Sequence, residues 1–413
     1  MKIKQKISPI AAVIDQALLS FLNFSISIFF VWGASKDQYG YYLLLITPLL
    51  LVQSVQSALI NSPLATYLPA SLSEKKERIV STAQLMHGWL AAVCTLLAVF
   101  ALLLIGAFSL VSVSGFLVVS FCLAIIGTIA REGQRSICYV MGKGVGALWK
   151  DFQYGVILLL GLVFAFYKNI ISAEFVLLAI GSSAIFVVLI GYSNSEKWVF
   201  DRSVVRDFWL CGRWALPSVF ATWLSLNSYP YFAKHFIGVS AVADIGASRL
   251  LLMPVGLLIT AWSNWFRPRI SGWYARGQID EIVSLTRKCF FWVGFTFIFF
   301  LLFVWLGYGF FELIVGVEYR GLKPVVIAWS VFFFLSFLRN VGMASLMVNS
   351  EGYKILHHLT WVGFFISIFS LFVFSSRGSV WVVGVLSLVE FFQLVVVLVN
   401  ARIFWEKGRV NNI

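Results

Sequence analysis

Residues 290–306 read FFWVGFTFIFFLLFVWL, without one charged side chain. Such a run is too long and too continuous for a barrel strand, which alternates apolar and polar residues over about ten positions. It suits a helix crossing a bilayer, where about 20 apolar residues span the hydrocarbon and every backbone polar group is satisfied inside the segment. Runs of this kind recur along the whole chain. Bounded by charges, they give twelve predicted spans: 8–34, 39–69, 82–108, 115–140, 148–168, 172–193, 208–237, 240–268, 286–310, 323–349, 353–376 and 379–405. The composition agrees, with 60% hydrophobic and 12% charged residues and a mean hydropathy of +0.91 over 413 residues. A soluble domain holds about 45–50% apolar and about 25% charged residues. The expected fold is an all-α polytopic membrane protein of twelve transmembrane helices. Lys2, Lys4 and Lys6 resemble a signal n-region, but the apolar run behind them continues to Trp32 and reads as a retained first span.

The formal charge of +13 suggests nucleic acid in a soluble protein. Here the position of the charges decides its meaning. With the N-terminus placed in the cytoplasm, all but seven of the 31 Lys and Arg fall on the cytoplasmic side. The exceptions are Lys36, Lys168, Lys234, Arg249, Arg320, Lys323 and Arg377. The positive-inside rule then predicts both termini cytoplasmic and no nucleic-acid partner. The longest connections, 70–81, 194–207, 269–285 and 311–322, are too short for a catalytic domain, so no enzyme is expected. Five cysteines show no CxxC, and His87, His357 and His358 have no metal-ligand grouping, so no metal or other cofactor is expected.

The chain repeats at half its length. Gly40 and Pro48 recur as Gly246 and Pro254, both at an offset of 206, and Arg131 and Gly144 as Arg339 and Gly352, both at 208. Duplication of a six-helix unit gives two pseudo-symmetric lobes related by an axis along the membrane normal, with a central cavity between them. The expected division is an N-lobe over 1–193, a cytoplasmic inter-lobe loop over 194–207 and a C-lobe over 208–413.

Polar side chains inside the spans mark where water or a substrate enters. The first span carries Gln16, Ser20, Asn23 and Ser27, and the seventh Ser218, Thr222, Ser225 and Tyr229, at one helical spacing. Gln53, Gln56, Ser57 and Asn61 mark the second. Gln16, Asn23, Gln53, Gln56, Asn61, Thr222, Ser225 and Tyr229 are therefore the candidate cavity lining; hydrogen-bonding between helices is the alternative. The third, fifth and ninth spans are apolar nearly all round. Arg249, about nine residues into the eighth span, and Lys234, at the end of the seventh, are candidate cations of an outer vestibule. Arg131, Arg135, Arg267 and Arg339 are candidates at the inner mouth, with positive-inside anchoring as the alternative. Asp15, Asp244 and Glu390 are open to two roles, coupling to H⁺ or Na⁺ or neutralising an arginine, and neutralisation is the simpler. Pro48, Pro217, Pro230 and Pro254 favour kinks in the cavity helices.

Four stretches carry a family likeness: KDQYGYYLLLITPLL (36–50), REGQRSICYVMGKGVGALWKD (131–151), the region 217–270 running to WFRPRI, and VGVEYRGLKP (315–324). With the twelve-span pattern, the chain resembles the polysaccharide transporters, the O-antigen (Wzx-type) flippases of the multidrug/oligosaccharidyl-lipid/polysaccharide exporter superfamily. The resemblance implies alternating-access transport of undecaprenyl-pyrophosphate-linked oligosaccharide across the bacterial inner membrane. Membrane lipids and a polysaccharide polymerase with its chain-length machinery are the implied partners. Arginine and lysine suit a diphosphate head group. A cation-coupled multidrug exporter of the same fold is the main alternative, and a membrane polysaccharide polymerase or ligase the lesser one.

Overall fold

The computed structural model describes residues 2–71, 73–107, 113–190, 199–347 and 350–410. Helices account for nearly all of them. The chain runs through α1 (Lys2–Gly33), α2 (Lys36–Gln56), a π-helical turn (Ser57–Asn61), α3 (Ser62–Ala70), α4 (Ser73–Ala107), α5 (Gly115–Val140), α6 (Gly144–Tyr167) and α7 (Ala173–Ile190). It continues through α8 (Arg202–Gly212), α9 (Ala215–Asn227), α10 (Tyr229–Phe236), α11 (Val239–Leu250), α12 (Met253–Ala275), α13 (Ile279–Val315), α14 (Lys323–Leu346), α15 (Ser350–Phe374) and α16 (Ser379–Val410). Among the described residues, ten helical segments are long and apolar enough to cross a membrane. On α13, Trp305, Leu306, Phe310 and Leu313 are between 65% and 80% exposed. A surface of that kind is stable against lipid tails and not against water.

The predicted spans 208–237 and 240–268 are not continuous helices. The first is divided among α8, α9 and α10, and the second between α11 and α12. Prolines account for the divisions near them. Pro230 and Pro254 stand in the opening turns of α10 and α12, where a missing N–H costs nothing, and the preceding helices end just before them. Pro48, by contrast, lies inside an uninterrupted α2. Pro63, in the opening turn of α3, has no N–H to offer Leu59, and the turn before it widens until the Ser62 N–H reaches Ser57 O, five residues back. Of the 194–207 loop, residues 194–198 lie outside the described residues, and 202–207 already belong to α8.

The chain forms two units, Met1–Phe220 and Ala221–Ile413. In the first, Leu49, Leu117, Phe121, Ala124 and Leu177 join α2, α5 and α7 in one core. A second core, of Ile60, Leu64, Leu68, Ile79, Val80 and Ile137, takes in Val204 and Phe208 of α8. The Ser81 hydroxyl accepts from the Val199 N–H at 2.7 Å and the Thr82 hydroxyl from the Asp201 N–H at 3.1 Å, which ties the start of α8 to α4. Asp201 caps α8: its carboxylate accepts from the Ser203 hydroxyl and amide, which hold it below the usual carboxylate range. In the second unit, Phe266, Ile270, Ile282 and Ala344 form one core and Leu346, Leu356, Leu359, Val397 and Ala401 another.

The most extensive packing in the first unit is α5 against α7, and in the second α14 against α16. In the predicted numbering these are the fourth and sixth and the tenth and twelfth spans, pairs that the expected repeat relates. The α5–α7 contact depends on two glycines. A Cβ at Gly127 would lie 2.5 Å from Gly181 O, and one at Gly181 would lie 2.5 Å from Ala124 N. Gly181→Val is therefore expected to force the helices apart and to cost about 1–3 kcal/mol, read as a lower unfolding midpoint of the full chain in detergent. Gly146→Ala, where nothing lies within 4 Å of an added Cβ, is expected to leave the midpoint unchanged.

Candidate functional site

Charge in a bilayer needs a partner, and the first unit gathers its buried charges at one place. Asp15 of α1 is fully buried. Its Oδ2 accepts from Arg135 Nε at 2.8 Å and from the Tyr139 hydroxyl at 2.6 Å, both on α5. The same Arg135 Nε lies 3.2 Å from Asp151 Oδ2 on α6, and Arg135 Nη1 donates to Glu132 at 3.1 Å. Arg131 donates from Nη1 to Asp151 Oδ1 at 3.3 Å and stacks 4.1 Å over the Tyr154 ring. The i, i+4 spacing of Arg131 and Arg135 brings both guanidinia to Asp151. Three helices are thus locked by alternating charge. Two carboxylate oxygens, Asp15 Oδ1 and Asp151 Oδ2, are buried with no hydrogen-bond partner among the described residues.

The second unit repeats the principle with different partners. Arg339 of α14 meets Glu390 of α16 in a two-pronged pair, Nε to Oε2 at 2.5 Å and Nη2 to Oε1 at 3.1 Å, and Glu390 is buried. The acids Asp15 and Glu390 each lie against an arginine, and Arg131, Arg135 and Arg339 are each engaged by a carboxylate. Asp244 is half-buried in α11. Arg267 belongs to α12, and its side chain lies outside the described residues.

Arg249 is held differently. It is exposed near the end of α11, and among the described residues no carboxylate partners it. Its guanidinium lies 5.3 Å above the Trp329 ring and 5.9 Å from that of Phe333, both on α14. Trp329 is a fixed platform: it is buried, its indole Nε1 donates to Ile245 O at 3.1 Å, and Tyr229 packs edge-on at 5.7 Å. Stacking on aromatic faces holds a guanidinium in place and leaves its edge donors free. Lys234 ends α10, half-buried.

The predicted polar lining separates into two groups. Gln16, Asn23 and Thr222 are exposed, and Gln53 and Asn61 half-buried. Gln56, Ser225 and Tyr229 are buried within their units. Gln56 donates from Nε2 to Ile129 O at 2.8 Å and lies 3.0 Å from His87 Nδ1, so it is turned into the packing of α2, α4 and α5. Gly133 makes room for the imidazole, since a Cβ there would lie 2.7 Å from His87 Cδ2. Ser225 donates to Ala221 O at 2.9 Å, and its own carbonyl accepts from Ser367 at 3.0 Å.

Sequence reasoning missed Asp151, Glu132, Tyr139, Trp329 and His87. Asp151 had a readable signal, a carboxylate within the predicted span 148–168. That span is not apolar all round, because its first turns carry Lys150 and Asp151.

No protein-family model and no curated protein matches the sequence. Solved structures do match the fold. One is an inward-facing multidrug resistance MATE family transporter of the MOP superfamily, 12% identical over 95% of this chain and 96% of that one, with a TM-score of 0.71. Another is the lipid II flippase MurJ in an inward closed conformation, 14% identical over 96% of this chain and 87% of that one, TM-score 0.71. A third is a MOP superfamily transporter from Pyrococcus furiosus described as having a binding pocket of reverse polarity, 12% identical over 98% and 96%, TM-score 0.63. At such identities the likeness is one of fold. The chain has the multi-pass helical fold of MOP superfamily transporters, and these neighbours are transporters and not enzymes.

Removing one partner of a buried ion pair strands the other. Glu390→Leu is expected to destabilise the full chain by about 3–5 kcal/mol, and Arg339→Met with Glu390→Leu to recover most of that loss. Thermal unfolding of the purified variants reads the difference.

Proposed function

We propose that the protein is a flippase that moves undecaprenyl-pyrophosphate-linked oligosaccharide across the bacterial inner membrane by alternating access. The observation that carries this reading is Arg249, an exposed cation on an aromatic platform with no carboxylate against it among the described residues. A diphosphate is matched by a guanidinium edge, which the aromatic platform beneath Arg249 leaves open. Arg131, Arg135 and Arg339 have carboxylate partners, so the anion-binding role rests on Arg249, with Lys234 as second cation. The buried acids are the other half of the argument. Asp15, Asp151 and Glu390 all lie against arginines, which leaves them poor binders for the cationic drugs of a multidrug exporter. The MOP transporter fold supports both readings equally; the charge arrangement favours the anionic substrate.

A second feature supports ion coupling within that function. Asp15 Oδ1 and Asp151 Oδ2 have no hydrogen-bond partner among the described residues, and both carboxylates approach the same Arg135 Nε; they are acceptors at which a proton can be held. Protonation there weakens the hold on Arg135 and so loosens α1 and α6 from α5.

In a bacterial strain deleted for the gene, wild-type chain is expected to restore surface polysaccharide. Arg249→Ala is expected to reduce it about tenfold or more, the cost of losing one charge-assisted hydrogen-bonding group, at unchanged protein level in the membrane. Normal display by Arg249→Ala, or a change confined to drug susceptibility, contradicts the proposal. In proteoliposomes, an imposed proton gradient is expected to accelerate transport by the wild type and not by Asp151→Asn; equal acceleration of both removes the coupling role.

A further inference from the structure

α8 has a property that the transport reading does not use. It is 11 residues long, about 16 Å at 1.5 Å per residue, too short to cross a bilayer. Val204, Phe208 and Gly212, spaced i, i+4, i+8, are its buried side. Phe208 stacks on Tyr67 with ring centroids 6.1 Å apart. At Gly212 the backbones touch, for a Cβ there would lie 2.9 Å from Ala58 O. The rest of its seat includes Ile60 of the π-helical turn, Leu64 and Leu68 of α3, Ile79 and Val80 near the start of α4, and Ile137 near the end of α5. α8 thus runs beside the π-helical turn and α3, at the end of the first unit where α4 begins and α5 ends, against three segments long and apolar enough to cross a membrane.

The opposite side of α8 is not that of a solvated surface helix. At 100° per residue, Arg202, Arg206, Leu210 and the capping Arg213 point away from the buried stripe, with Trp209 and Trp214 beside them. All six are exposed, Trp209 by 51% and Trp214 by 73%. Arg213 stacks over Trp214 at 5.2 Å. The nearby acids do not cancel the charge: Asp207 is half-buried, and Asp201 is occupied by Ser203. The start of α4 adds exposed Lys75, Lys76 and Arg78, with exposed Glu77 among them. Tryptophan favours the head-group level, and arginine forks fit phosphate.

We propose that the outward face of α8 binds the head groups of anionic phospholipids, anchoring this end of the first unit to the membrane surface. The inference rests on the membrane-spanning reading of the neighbouring helices and is independent of the transported substrate. A basic and aromatic face in this position attracts anionic lipid by charge and holds it by phosphate hydrogen bonds.

The test places a fluorophore on Leu210→Cys in the full chain with its five native cysteines changed to serine. The protein is reconstituted in phosphatidylcholine vesicles holding an equal, small fraction of spin-labelled phosphatidylglycerol or spin-labelled phosphatidylcholine. Phosphatidylglycerol is expected to quench the label several-fold more strongly, and added salt to narrow the gap. Arg202→Gln/Arg206→Gln/Arg213→Gln is expected to abolish the preference, and the triple lysine variant to keep most of it. Equal quenching by the two lipids in the parent overturns the proposal. So does free quenching by aqueous iodide with none by either lipid. A preference that survives the triple glutamine variant also overturns it.

Discussion

A carboxylate in a bilayer is tolerable only with a cation against it, and the helices that carry both are fixed by that requirement. Asp15, Asp151, Arg131 and Arg135 hold α1, α5 and α6 together, and Glu390 and Arg339 hold α14 to α16. Lipid offers no hydrophobic drive between helices, so close contact and polar pairing must supply the specificity. Gly127 and Gly181 supply the first at α5–α7. The paired charges supply the second, and they do so in the first unit through a triad of helices and in the second through a single two-pronged bridge.

That economy also defines what is left over. With the buried acids matched, Arg249 is left as a cation with no carboxylate against it among the described residues. Arg249 is preorganised by Trp329, which is in turn fixed to the carbonyl of Ile245, one turn before Arg249 on the same helix. The platform and the cation it supports are thus one assembly of α11 and α14. A guanidinium set in this way keeps its orientation when a ligand arrives, which lowers the ordering cost of binding.

The sequence made ten spans readable because an unbroken apolar run carries its own boundary signals. It marked 208–237 and 240–268 as spans with proline kinks, and did not show that the kinks divide them into separate helices, because an average over a window does not register a break. The Gly212–Arg213–Trp214 step and the prolines at 230 and 254 divide segments that remain apolar on both sides. α8 was hidden in the same way, although Val204, Phe208 and Gly212 on one side and Arg202, Arg206 and Arg213 on the other form a helical period that could have been read. The halved chain was visible in Gly40/Gly246 and Arg131/Arg339, and the recurrence of α5–α7 packing in α14–α16 agrees with it. The ion partners were not visible: Arg135 lies 120 residues from Asp15, and no local pattern ties them. Gln56 was read as lining because a glutamine on a polar stripe looks the same in sequence whether it faces water or a buried histidine.

The central claim is that an anionic, lipid-linked head group crosses the membrane through this chain. Its most direct measurement is translocation by the purified protein in vesicles carrying a prenyl-pyrophosphate-linked oligosaccharide on one leaflet, followed by the sugar's accessibility to an impermeant glycosidase. The account predicts that sugar initially protected becomes accessible with wild-type protein, and does so far more slowly with Arg249→Ala. Sugar that stays protected while the same vesicles move a cationic dye would contradict it.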